Sequence, residues 1–84
     1  MSHHANPDFW RHYYRLPVHI QQLADQNFPL LKSDPRHPSL HLKKVVRHWS
    51  VRVGEHYRAV GVESPQGILW YLIGPHAEYD HMKR

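Results

Sequence analysis

The residues best able to do chemistry are cations and histidines, and they crowd into one stretch. From Arg36 to Arg58 stand Arg36, Lys43, Lys44, Arg47, Arg52 and Arg58, interleaved with His37, His41, His48 and His56 and opposed only by Glu55. Cations beside aromatic rings suit phosphate contact and base stacking. An acidic protein would fit the same surface, and a solvated face is the plain alternative for any basic run. Histidine titrates near neutrality, so this stretch offers proton transfer as well as charge.

A narrower constellation lies inside and beyond it: Ser50 and Arg52, then Tyr57 and Arg58, then His76 and Tyr79. Cleavage of RNA by 2′-hydroxyl attack needs cations for the phosphorane charge, a group to take the 2′ proton and one to protonate the leaving oxygen. Arginine and histidine supply these roles, although each residue taken singly reads as an ordinary surface cation or hydrogen-bonded histidine. Other chemistries lose support. The chain has no G-x-x-x-x-G-K-[ST] loop, dinucleotide glycine fingerprint or G-x-S-x-G elbow. It has no cysteine, hence no disulfide, thiolate nucleophile or thiolate zinc ligand. His37-x-x-x-His41 has the spacing of two metal ligands on a helix, but Pro38 and the Leu40/Leu42 alternation argue against a helix there. No metal or cofactor is expected, and His3-His4 reads as an inert, frayed terminus.

These side chains need a frame. Asn6-Pro7-Asp8 is a helix start, with an Asx cap, proline at the first helical position and an early acid. Phe9, Trp10, Tyr13 and Tyr14 then fall on one side, as a core stripe. Leu16-Pro17 breaks this helix and begins a second, carrying Ile20, Leu23, Ala24, Phe28 and Leu31; Pro29 predicts a kink or an end near Asn27. After the turn formers of 33–38 the period becomes two. Leu40 and Leu42 alternate with His41 and Lys43, and Trp49, Val51 and Val53 with Ser50 and Arg52, which places Ser50 and Arg52 on a polar face. Gly54 marks a hairpin into Tyr57–Val62. Ile68–Ile73 is apolar throughout and predicts a central strand covered on both faces, with a short tail over His76–Met82. The expected fold is α+β: one domain over 1–84, with two N-terminal helices packed on an antiparallel sheet of three to four strands.

The 84 residues carry a net charge of +4 with histidine neutral. No apolar run approaches the roughly 20 residues that span a bilayer, and the amino end has no apolar stretch like a signal segment. With cysteine absent, the expectation is a soluble protein of the reducing cytoplasm.

Taken in order, several segments resemble the RelE/ParE superfamily of toxin–antitoxin toxins. They are Leu16-Pro17 with its helix, Asp34-Pro35-Arg36-His37-Pro38-Ser39-Leu40 with Lys43, Trp49-Ser50-Val51-Arg52-Val53, Tyr57-Arg58-Ala59, and Trp70 through Asp80. The resemblance runs from about Phe9 to Tyr79 and rests on order and spacing rather than on one motif. It implies a cognate antitoxin and, in the RelE-like branch, ribosome-dependent cleavage of mRNA. It would make Arg52, Arg58, His76 and Tyr79 catalytic: Arg58 on the scissile phosphate, His76 in a proton role, Tyr79 stacking on the substrate. Lys43, Lys44, Arg47, Ser50 and Tyr57 would contact RNA. Ser50 stands where RelE has lysine, and the family's first strand is not visible before Asn6. The alternative within the resemblance is a ParE-like toxin that blocks DNA gyrase by protein contact without catalysis.

Overall fold

Asn6 starts the first helix as its type predicts: its side-chain oxygen accepts from the Phe9 N–H at 3.0 Å, with Pro7 next in line. The computed structural model describes residues 2–75; His76, Tyr79 and the expected tail lie outside them. The elements run β1 (His3–Ala5), α1 (Pro7–Tyr14), α2 (Val18–Ser33), a 3-10 turn (Pro38–Leu40), β2 (Lys43–Val45), β3 (His48–Val53), β4 (Tyr57–Ser64) and β5 (Gly67–Pro75). The sheet has five strands in the order β1-β5-β4-β3-β2. Both helices cover one face, and the core lies between them and the sheet: Tyr13, Leu16, Ile20 and Leu31 against Val51, Val53, Ala59, Ile68, Trp70 and Ile73. No helix among the described residues is long and apolar enough to cross a membrane.

The α+β class holds, but the sheet is mixed and larger than the expected three to four antiparallel strands. β1 precedes the helices and pairs parallel to β5, with His3 opposite Ile68 and Ala5 opposite Trp70. This strand carries no hydrophobic alternation, because main-chain bonds hold it: Ile68 N–H donates to Ser2 at 2.9 Å and Asn6 N–H to Trp70 at 3.1 Å. His3 is therefore not a frayed terminus. Its Nδ1 accepts from the Trp70 indole N–H at 3.1 Å, with the two rings stacked.

That bond has a pH consequence. Burial holds the His3 imidazole below its ordinary pKa, and Lys32 and His4 push the same way. Well above the ordinary histidine value, near 6.5, His3 is neutral in both folded and unfolded chains and its contribution is intact. As pH falls, the unfolded chain takes up the proton first, so stability declines until the folded ring is protonated too. Urea midpoints of wild type and His3→Gln across pH 5–7.5 should converge on acidification. Parallel curves would mean that His3 contributes nothing through this bond.

Three other local expectations change. α2 does not end near Asn27; it runs to Ser33 with Pro29 inside it. The missing proline donor is tolerated because buried Leu31 anchors the last turns, and Asp34 N–H caps Leu30 at 2.7 Å. The aromatic stripe of α1 is split. Tyr13 is buried, Phe9 packs against the core, and Tyr14 is 71% exposed. Phe9 and Tyr13 are one turn apart, whereas Trp10 and Tyr14 are rotated about 100° from them. Tyr13 also clamps the two helices. Its hydroxyl donates to Asp25 at 2.7 Å, and that bond, with burial, raises its pKa to about 12. Finally, Leu40/Leu42 is not a strand pattern: Pro38–Leu40 forms a 3-10 turn that buries Leu40 completely, and the strand starts at Lys43.

β4 and β5 are the best-paired strands, and their register slips once. Val60 faces Leu72 while Gly61 faces Trp70, which leaves Tyr71 unopposed. The slip keeps Ile68, Trp70 and Ile73 all pointing at the helices. Gly61 makes room for this. A Cβ there would meet Ile68 at 2.7 Å, Trp70 at 2.9 Å and the Leu69 carbonyl at 3.0 Å. Gly61→Ala is expected to lose about 1–3 kcal/mol through overpacking, read as a lower urea midpoint at unchanged slope.

Candidate functional site

The face of the sheet away from the helices gathers the charged residues. Strand alternation turns Trp49, Val51 and Val53 of β3 to the helices and His48, Ser50 and Arg52 to the other side. On β4 Ala59 points inward and Arg58 outward. The register then sets Arg52 directly opposite Arg58, Ser50 opposite Val60, and Lys43 opposite Ser50. Lys43, Ser50, Arg52 and Arg58 thus share one end of the open face. Gly74 lies opposite Arg58 on β5, so the directly opposed residue brings no side chain to the guanidinium.

Each arginine is held. Arg58 Nη1 donates to Ser50 Oγ at 3.4 Å. Ser50 is 5% exposed, so it is not the solvent-facing polar residue that alternation alone predicts. A hydroxyl is short enough to sit beneath an arginine that spans it. Arg52 donates from Nε to the Gly54 carbonyl at 2.9 Å, and its Nη1 lies 3.4 Å from His41 Nε2. Asn27 Nδ2 reaches the Arg52 carbonyl at 3.4 Å and ties α2 to the same strand.

Two cations directly opposite on neighbouring strands repel each other and weaken the pairing. No carboxylate offsets this pair among the described residues, where the acids in ion pairs are Asp8 with Arg11, Glu63 with Lys44, and Glu55 with His56. An anion placed between Arg52 and Arg58 would reverse the sign of that repulsion. A phosphate accepts paired donors from guanidinium groups in this manner.

Other expected site residues lie elsewhere. Lys44 is opposite Trp49 on the helix-side face, where its Nζ sits 5.5 Å from the indole ring and pairs with Glu63. The hydrogen bond from Lys44 holds the Glu63 carboxyl below its ordinary pKa. Tyr57 packs against the core rather than the open face. Arg47 occupies the turn before β3, at the end of that strand remote from Arg52, and its carbonyl accepts from Glu63 N–H at 3.0 Å. Between His37 and His41 lies the 3-10 turn: His37 Nδ1 accepts from Ser39 N–H, and His41 turns to Arg52.

Two features had no signal in the sequence. One is the His41–Arg52 contact, created by a left-handed residue at the end of the 3-10 turn. The other is an apolar strip beside the arginines: Val60 opposite Leu72 and Val62 opposite Leu69. The central strand is thus not covered on both faces by described elements; Leu69, Tyr71 and Leu72 stay partly exposed. A cavity of about 70 Å³ lies on the other side, between helices and sheet, lined by Phe9, Tyr13, Leu31 and Trp70 among others. Its walls are mostly apolar and it lies across the sheet from the arginine side chains, so it is a packing gap rather than the centre of the chemistry.

The backbone has known counterparts. It is similar to the RelB–RelE antitoxin–toxin complex of Methanococcus jannaschii, with a TM-score of 0.71 at 17% identity, covering 93% of this chain and 96% of that one. This is the RelE/ParE toxin fold. A YoeB/ParE toxin from Agrobacterium tumefaciens is similar too, with a TM-score of 0.66 at 16% identity over 90% of this chain and 99% of that one. No protein-family model matches the sequence, and no curated protein matches it. On this RelE/ParE-like frame β1 is an integral edge strand, and the arginine pair occupies the centre-to-edge transition of the open face.

Proposed function

We propose that this chain is the toxin of a type II toxin–antitoxin module and acts as a metal-independent, ribosome-dependent endoribonuclease on mRNA. The observation that carries the proposal is the opposition of Arg52 and Arg58 on the open face of a RelE/ParE-like sheet, with no carboxylate beside them among the described residues. Arg58 and Arg52 take the charge that develops on the scissile phosphate, and Lys43 and Ser50 contact the neighbouring backbone. His76 follows Pro75 directly in the chain, and Pro75 pairs with Tyr57 one residue from Arg58. It takes a proton role. Tyr79 stacks on a base, a role that Tyr57 is poorly placed for. Lys44 and Arg47 contribute to the wider field rather than to the reacting phosphate.

The partner is a cognate antitoxin, a reading favoured by the similarity to an antitoxin–toxin complex. An acidic or amphipathic segment laid across the arginine end would neutralise it. Induction of the chain without a partner, followed by pulse-labelling of new protein and by plasmid topology, separates the classes. The nuclease reading requires translation to stop with topology unchanged. Altered supercoiling with intact message would instead assign the chain to gyrase inhibition, and unhindered growth would leave it a scaffold.

A further inference from the structure

RNA cleavage at the arginine pair needs two proton carriers, and His76 can fill only one role at a time. We propose that His41 is the other: the base that takes the 2′-hydroxyl proton. This rests on the endoribonuclease reading above and goes beyond it by naming the acceptor.

Its position follows from local structure. His37 caps the 3-10 turn through Ser39, and completely buried Leu40 fixes the turn to the core. His41 then adopts φ 45 and ψ 46, the left-handed region that few residues other than glycine occupy and in which Asn, Asp and His are over-represented. The left-handed residue brings the imidazole back over β3, where Nε2 meets Arg52 Nη1 at 3.4 Å. A guanidinium has donors only and does not lose its proton. Nε2 can therefore only accept in this contact, which selects the tautomer with the ring proton on Nδ1. Arg52 is the charged group that faces His41 from the strand packed on this turn; Lys43 follows two residues along the chain.

An unprotonated ring nitrogen touching a phosphate-holding arginine is placed to act as a base. The ring is exposed, so substrate can reach it. When a phosphate oxygen takes the Arg52 Nη1 donor, Nε2 loses its partner and its lone pair becomes available. The 2′-O–H bond then breaks with its proton passing to Nε2, and the 2′ oxygen bonds to phosphorus. The P–O5′ bond breaks, and the leaving oxygen takes a proton from a general acid, the role proposed above for His76. The products are a 2′,3′-cyclic phosphate and a 5′-hydroxyl end, and the His41 imidazolium returns its proton to solvent.

Single-turnover cleavage of a defined message in a translating extract, from pH 5.5 to 8.5, tests the assignment. His41→Asn keeps a residue that tolerates the left-handed turn and an acceptor for Arg52, but it cannot titrate in this range. It should cleave about 10²–10⁴-fold more slowly and lose the rise in rate with pH that wild type shows across the histidine range. His41→Ala should recover in part with added imidazole. Wild-type rates in both variants, or slower cleavage with the same pH limb and no imidazole rescue, overturn His41 as the base while leaving the nuclease reading standing. An uncut message with the wild-type chain overturns both.

Discussion

Arg58→Ala should cleave message about 10²-fold more slowly or worse, with a thermal midpoint equal to or above that of wild type. The two halves of this expectation have one cause. Arg58 is directly opposite Arg52, so in the free protein its charge works against the β3–β4 pairing. Its one side-chain hydrogen bond among the described residues is a long one, 3.4 Å to Ser50. Alanine removes a repulsion and leaves a short hydroxyl that water can satisfy. On the proposed mechanism the same guanidinium faces a phosphorane whose charge exceeds that of the ground state, and Arg52 alone does not make up for its loss. Single-turnover cleavage alongside thermal melting checks both halves. A variant that loses activity and stability together would mean that Arg58 is a structural residue.

Leu40→Ala should lower stability by about 2–5 kcal/mol, the range for truncating a fully buried leucine. Leu40 has no exposed surface and packs in the core between the helices and the sheet. Small domains are stable by only about 5–15 kcal/mol, so the loss is a large share of the total. The effect should also reach the site, because Leu40 precedes His41 and fixes the turn that aims it at Arg52. Urea unfolding measures the first effect. Cleavage by the folded fraction measures the second, and it should fall even where the variant is held folded at low temperature.

Much of this architecture is legible in residue types. Asn6-Pro7 announces α1, the switch to period two announces β3 and β4, and alternation sends Arg52 to the face opposite Val51 and Val53. What is not legible arises from long-range pairing. β1 is three residues held by main-chain bonds to β5, and its one specific side-chain contact joins His3 to Trp70, 67 positions apart. Pro29 reads as a helix end because local preference ignores the burial of Leu31 two residues later. Ser50 reads as exposed because alternation gives a direction but not what lies above it. The Arg52–Arg58 opposition needs the register of the hairpin, and His41 needs a backbone conformation that its residue type does not advertise. Ile68–Ile73 reads as doubly buried from composition, whereas the slip at Tyr71 divides it between a core face and a partly open one.

The proposed role of the arginine pair is to cut message from the open face of a RelE/ParE-like fold. Primer extension on a defined mRNA in a translating extract is the direct test, with wild type, Arg52→Ala, Arg58→Ala and a ribosome-free control run side by side. Wild type should give discrete breaks within the reading frame that vanish without ribosomes, and each alanine variant should weaken them by about 10²-fold or more. Intact message with wild type, or breaks of equal strength with all three proteins, would rule out message cutting by the arginine pair.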